Sequence, residues 1–257
     1  MDTTTIVIVL AGVVALSIVA IVISQMRERA RIERARRMTT LEDSYKRANG
    51  LFHELPGQYL TKELKLLLVD RMESACKQLA ALKSEKPIKA WLQELEQLKP
   101  KIQSDQDKRP PVKIDSPDKS RQIREQLKDL FKLIETMHKA GQVDGKIAKK
   151  QLKYVLFLVH KTHADLHIFR AREYIRQNEL RKAIHEYHMA STEMGKSKDN
   201  PLAAKVIKSL RTRIKELESM ATEGQAKQST EEQHRLDKEW DSFLDDDSWK
   251  KRADYDD

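Results

Sequence analysis

Three histidines of this chain stand at helical spacing and are its best candidates for metal chemistry. His160, His163 and His167 are three and four residues apart, so a helix would present them on one face. Zinc needs ligands that converge from at least two elements, and His185 and His188 of the next helix could join them. However, no cysteine lies nearby and acids are few, and histidines beside an apolar core stripe explain the same pattern. We therefore predict no metal and no cofactor.

No arrangement typical of an enzyme active site is present. Glu135 and His138 form one Glu-x-x-His pair, but a di-iron bundle needs two such pairs and further inward carboxylates. The chain has no Gly-x-Ser-x-Gly, phosphate-binding glycine loop, His-Glu-x-x-His or kinase signature. Helices rich in Lys and Arg are also poor places to tune a general base. We predict that the protein is not an enzyme.

Small and aromatic residues recur with a distinctive spacing in residues 164–195. On one predicted helix, Ala171 and Tyr174 are three residues apart. On the next, Tyr187 follows Ala183 by four residues and precedes Ala190 by three, and Asn178 lies at the turn between the two helices. This spacing resembles one tetratricopeptide repeat, in which small residues let two antiparallel helices approach closely and aromatics fill the remaining gap.

The match to the repeat covers about an eighth of the chain and has clear departures. His167 stands where the family has a bulky aromatic, Arg170 where it has an apolar residue, and Gly195 where it has the closing proline. A lone repeat must be covered on both sides, and residues 120–163 and 201–220 can supply those helices. We therefore expect a short, divergent repeat-like solenoid, and the alternative is an ordinary helical bundle that contains a similar hairpin.

The resemblance implies protein or peptide binding in a concave groove. The first helix of the repeat would line that groove, and its basic side chains would suit an acidic ligand. The candidate binding residues are His167, Arg170, Arg172 and Arg176. For each of them a solvated basic helix face is the alternative.

The C-terminal tail combines dense negative charge with large aromatic residues. Trp240, Phe243 and Trp249 lie within residues 239–249, which carry five carboxylates and no cation. Such segments are typical of short motifs that become ordered on binding a partner. The tail could also fold back on the basic body of its own chain, or act only as a solubilising disordered segment.

Residues 6–23 form an uncharged apolar run, and a cluster of arginines follows at once. With its uncharged neighbours the run can cross a hydrocarbon core of roughly 30 Å as a helix. Because the arginines lie on its C-terminal side, the positive-inside rule places the main body in the cytoplasm. A cleaved signal peptide is the alternative, but its basic residues would precede the apolar run. We expect a single-pass membrane protein, with a bacterial inner membrane favoured.

Charge and composition agree with a helical, membrane-proximal body. The net charge is +9, although residues 231–257 hold eleven acidic and five basic residues. Gly and Pro are few, seven each, which favours helices over sheets. The single Cys76 excludes an internal disulfide and fits a reducing compartment. The basic stalk after the anchor is expected to attract anionic lipid headgroups.

Apolar periodicity and breaker residues together predict an all-α protein of six segments. In chain order these are a transmembrane anchor (1–26), a basic helical stalk (27–49), a membrane-proximal helical hairpin (50–103), a Pro-rich interdomain linker (104–118), a tetratricopeptide-like helical domain (119–222) and an acidic disordered tail (223–257).

The function expected from these features is that of a membrane-anchored scaffold or adaptor. It would hold a protein partner near the bilayer through its helical domain and its acidic aromatic tail. A membrane-tethered nucleic-acid-binding protein is the alternative, since basic helices also bind phosphates. Against it, the sequence has no zinc-finger spacing and no aromatics interleaved with its basic residues.

Overall fold

The computed structural model describes residues 3–223 and Lys238, with side-chain detail from Ala20 to Thr222 and at Lys238. Trp240, Phe243 and Trp249 of the acidic tail lie outside the described residues. The all-α prediction is confirmed over this part of the chain, which contains no strand. Its helices are α1 (Thr3–Glu54), α2 (Lys62–Ala81), α3 (Ile88–Gln103), α4 (Pro117–Lys139), α5 (Gly145–Arg176), α6 (Leu180–Gly195) and α7 (Pro201–Glu223), with a short 3₁₀ turn at Gly57–Tyr59.

Local sequence signals set the helix ends in the second half of the chain. The Ser116 hydroxyl accepts a hydrogen bond from the Lys119 backbone at 3.2 Å and caps α4. The Asp144 carboxylate accepts one from the Lys146 backbone at 2.8 Å and caps α5. Asn178, at φ 61°, turns the chain between α5 and α6, a conformation that asparagine tolerates better than most residues. These ends fix which faces of α4, α5 and α6 meet.

The helices belong to two compact units, each built from separate stretches of the chain. Unit 1 comprises the described residues up to Asn49 together with Leu66–Ser104. Unit 2 comprises Gly50–Lys65 and the described residues from Asp105 onward. Residues 50–65, predicted as part of a membrane-proximal hairpin, therefore belong with the C-terminal helices.

Unit 1 holds the C-terminal part of α1 against the α2–α3 hairpin. The Tyr45 and Trp91 rings stack with centroids 4.4 Å apart and an interplanar angle of 9°. Lys99 of α3 bridges two acids of α2, Asp70 at 2.9 Å and Glu73. The core beneath these contacts is fully buried and apolar. It includes Ala48, Leu68, Val69, Met72, Ala75, Cys76 and Leu79. Burial, with the nearby Glu73 charge, raises the pKa of the Cys76 thiol to about 11.

Unit 2 is a series of neighbouring helices in which α5 contacts α4 and α6, and α6 contacts α7. Its core is apolar, with alanines where α5 and α6 approach each other closely. The fully buried members include Leu127, Leu130, Ile134, Val155, Leu158, Ala164, Ala171, Ala183, Ala190, Met194 and Leu217. Burying such side chains is the main force that holds α4–α7 together.

Residues 105–116 form an irregular segment of unit 2, which we call the strap. The Gln58 side chain accepts a hydrogen bond from the Val112 N–H and donates one to the Val112 carbonyl. Arg109 donates to the carbonyl of Phe52 and lies over that ring, 4.8 Å from its centroid. Lys65 donates to the carbonyl of Asp107 at 2.7 Å. The segment predicted as an interdomain linker is thus held along its length by specific contacts.

The first helix is exposed over a long stretch of the part whose side chains are described, where Arg34 donates a hydrogen bond to the Leu82 carbonyl. Every residue from Ala20 to Arg37 is exposed, on all sides of the helix. Most of the apolar run 6–23 lies outside the residues whose side chains are described. In the part of the chain that is described, no helix has the length and apolar character needed to cross a membrane.

Candidate functional site

The residues that resemble a tetratricopeptide repeat lie where α5 and α6 meet. Ala171, Ala183 and Ala190 are fully buried, and Tyr187 is buried. Tyr174 is half-buried, with the Lys182 ammonium 5.5 Å from its ring centroid. However, α5 alone is nearly as long as a whole repeat of about 34 residues. Only its C-terminal half therefore corresponds to the first helix of such a hairpin.

The four side chains predicted to bind an acidic ligand do not form one exposed surface. His167 is only 8% exposed, and its Nδ1 lies 2.6 Å from Glu186 Oε2 on α6. Arg170 and Arg172 are half-buried. Arg176 is exposed and pairs with Glu173 on its own helix. His167 faces α6, and it lies one turn before Ala171, which is fully buried.

The other two histidines of α5 share one carboxylate of α6. His160 Nδ1 lies 2.9 Å from Glu193 Oε1, and His163 Nδ1 lies 3.4 Å from the same oxygen. Lys196 pairs with the second oxygen of Glu193. These contacts join α5 to α6 at the end opposite the Asn178 turn. They give the three histidines an observed role as hydrogen-bonding partners of carboxylates.

Electrostatics in this cluster favour an ionised Glu193 and a neutral His163. Burial would raise the pKa of Glu193, but Lys196, His160 and His163 outweigh it and lower that pKa to about 2. For His163, burial lowers the pKa, and the positive charge of Arg124 acts in the same direction against the attraction of Glu193. Hydrogen bonds donated to a carboxylate stabilise its ionised form, so its pKa falls even when it is partly buried.

The histidines do not converge as metal ligands. His160 and His163 lie beside Glu193, whereas His167 lies beside Glu186, and His185 is exposed. Among the residues described, no group of three or more His, Cys, Asp or Glu side chains is placed to hold a metal ion.

A basic surface on α7 is the strongest candidate for ligand binding in unit 2. Four cations, Lys198, Lys208, Arg211 and Lys215, line a shallow surface depression of about 490 Å³, which we call the α7 basic surface. All four are exposed, and none forms an ion pair with another described residue. The rest of the lining is small or apolar and holds no described acid. It consists of Ala204, Ile207 and Thr212.

Sequence reasoning missed this surface although a signal for it exists. Lys208, Arg211 and Lys215 are three and four residues apart, so they share one face of a helix. The opposite face carries Val206 and Leu210, which are buried. The spacing thus indicates a basic face, but the depression beside Lys198 depends on the turn between α6 and α7.

Neither the protein-family models nor the curated proteins and solved structures with which the chain was compared contain a match to it.

Proposed function

We propose that this protein is a membrane-anchored scaffold or adaptor, with α1 as a single-span anchor and unit 2 as the part that binds a protein partner. The observation that carries the proposal is the α7 basic surface. Four cations without ion pairs around an open depression form a ready site for an acidic segment. Surface cations that serve only solubility are usually mixed with acids or paired along their helix.

The anchor part of the proposal is supported by the exposure of α1. The helix is continuous from Thr3, and the sequence has no charge between Thr3 and Met26. Ile21, Val22 and Ile23 are exposed by 57%, 48% and 46%, so consecutive apolar side chains lie open on different sides of the helix. A helix that is apolar all round needs lipid or protein around it. By the positive-inside rule, the arginines that follow support a cytoplasmic location for units 1 and 2.

The partner-binding part of the proposal is supported by the packing of α5, α6 and α7. Ala171, Ala183 and Ala190 are fully buried where α5 meets α6, and α7 contacts α6. A binding surface on such helices is preorganised, which reduces the entropy cost of association. The tetratricopeptide-like hairpin would then support the site, with the acidic tail as a further contact.

The test of the anchor is membrane fractionation. The full chain is expected in the carbonate-resistant membrane fraction, and a chain that lacks residues 6–23 is expected to leave it. Recovery of both chains in the same fraction would contradict the anchor.

The test of the adaptor is quantitative capture from gently solubilised native membranes. The variant K208E/R211E/K215E reverses three cations of the α7 basic surface. The matched control K146E/K149E/K153E reverses three exposed cations of α5. Specific proteins should be recovered with the wild type and the control but be lost with the α7 variant. Equal recovery with all three chains would contradict the proposal.

Nucleic-acid binding is the second candidate, because the same surface and the net charge of +9 suit phosphates. The lining offers no aromatic side chain on which a base could stack. Binding that falls steeply with salt, is insensitive to nucleotide sequence and excludes protein partners would favour this candidate.

A further inference from the structure

We propose that the α7 basic surface is occupied in the free protein by residues 239–249 of the same chain, so that the tail and a partner compete for it. This inference rests on the proposed function, because it names what covers the binding surface before a partner arrives. The segment lies outside the described residues.

The charges of the two parts are complementary. Residues 239–249 contain five carboxylates and no cation. The α7 basic surface presents Lys198, Lys208, Arg211 and Lys215, which form no ion pair with any described residue. Opposite charges favour association of the acidic segment with the α7 basic surface, and acids on other surfaces would repel it. The lining of this depression holds no described acid that would repel the segment.

The apolar groups of the two parts are complementary as well. Ala204 and Ile207 line the depression between the cations. Trp240 and Phe243 flank Asp241 in the segment, so apolar and acidic groups alternate over a few residues. An aromatic side chain set against apolar lining, surrounded by ion pairs, is the usual arrangement of a peptide-binding hot spot.

The length of the connecting chain fits the distance to be covered. Arg211 and the end of α7 at Glu223 are about 18 Å apart along the helix axis. The connection from Glu223 to residue 239 has 16 residue steps, which reach at most about 53–58 Å when fully extended and so exceed that distance. A tethered segment that can reach a surface has a local concentration there on the order of millimolar.

Photo-crosslinking in the full-length protein in lipid nanodiscs tests the proposal. Phe243 is replaced by p-benzoylphenylalanine, and the attachment points are found by mass spectrometry. Mixing light and heavy isotope-labelled chains distinguishes crosslinks within one chain from crosslinks between two copies. We expect crosslinks within one chain to residues 198–215. They should fall at least about fivefold in K208E/R211E/K215E and persist in K146E/K149E/K153E, because only the first variant removes the attracting charge. Attachment to lipid, to a second copy or to other parts of the chain would overturn the proposal.

A binding measurement with a synthetic peptide of residues 239–249 gives an independent readout. The chain E239Q/D241N/D245N/D246N/D247N, whose own tail no longer competes, should bind the peptide about tenfold more tightly than the wild type. Equal affinity for both chains, or binding to neither, would overturn the proposal.

The two proposals can fail separately. If partner capture requires the α7 cations but Phe243 does not crosslink to α7, the adaptor stands and the competing tail is wrong. If Phe243 crosslinks to α7 but no partner depends on its cations, the tail contact stands and the adaptor is wrong.

Discussion

The side-chain amide of Gln58 pairs with both backbone polar groups of Val112. Its Nε2 donates to the Val112 carbonyl at 3.0 Å, and the Val112 N–H donates to its Oε1. One side chain thus satisfies the two groups that a neighbouring strand would otherwise satisfy. This pair fixes the middle of the strap, residues 105–116, in unit 2.

Replacing Gln58 by Ala should lower the free energy of unfolding by about 1–3 kcal/mol, because both backbone groups of the half-buried Val112 lose their partner. Urea denaturation of the full chain in detergent measures the change. Gln106→Ala, on the exposed part of the same strap, should change it by less than about 0.5 kcal/mol. Equal effects of the two substitutions would show that the strap is not held by Gln58.

Gly57→Ala should destabilise unit 2 by about 1–3 kcal/mol, because the new Cβ would lie 2.8 Å from Arg109 Cβ and 3.1 Å from the Arg109 carbonyl oxygen. Gly195→Ala is the matched control. A Cβ there meets nothing within 4 Å, so removing the glycine from α6 should be neutral or stabilise the protein by up to about 1 kcal/mol. Thermal unfolding of both variants checks the difference, and a destabilised Gly195→Ala would contradict it.

Lys161→Met should be among the most damaging single substitutions in unit 2. Lys161 Nζ lies 2.8 Å from Asp165 Oδ2, and both side chains are about nine-tenths buried. Removing the cation leaves a buried carboxylate unpaired, which costs about 3–5 kcal/mol. The double variant K161M/D165L should recover most of that loss. A double variant as unstable as the single one would show that packing, not charge pairing, is responsible.

Acid should weaken the α5–α6 contact in two steps. The pKa of His163 is lowered in the fold, so the fold disfavours its protonated form and loses stability as the pH falls through about 6.5. The pKa of Glu193 is lowered from 4.5 to about 2, so its stabilising contribution is complete above pH 4.5 and is lost as the pH falls towards 2.

Stability measured against pH for Glu193→Gln tests the lower step. In wild type, Glu193 should make the free energy of unfolding fall between pH 4.5 and 2. This fall should be absent in Glu193→Gln and unchanged in Glu85→Gln, which alters an exposed position. An unchanged decline in Glu193→Gln would contradict the assignment.

Local patterns in the sequence were enough to predict the all-α fold, because composition and apolar periodicity act within each helix. The turn between α5 and α6 at Asn178 was likewise predicted, because its signal lies in the turn residue itself. The cap of α4 at Ser116 was not predicted, since that residue was assigned to the linker. The strap was not predictable as an ordered element, since Gln58 and Val112 are far apart in sequence and pair through a side chain.

The candidate site could be predicted only in part for the same reason. Helical spacing places His160 and His163 on one face of α5, but it does not show that Glu193 of α6 lies opposite them. It likewise indicates a basic face on α7 but not the depression beside Lys198. Each of these features depends on how one helix meets the next.

The central claim is that the α7 basic surface binds the protein partner of a membrane-anchored adaptor. Its most direct test is the affinity of the captured partner for the full chain in lipid nanodiscs, compared between wild type, K208E/R211E/K215E and K146E/K149E/K153E. We expect a loss of at least about tenfold for the α7 variant, with the α5 control within about twofold of wild type. Equal affinity of all three chains, or an equal loss in both variants, would contradict it.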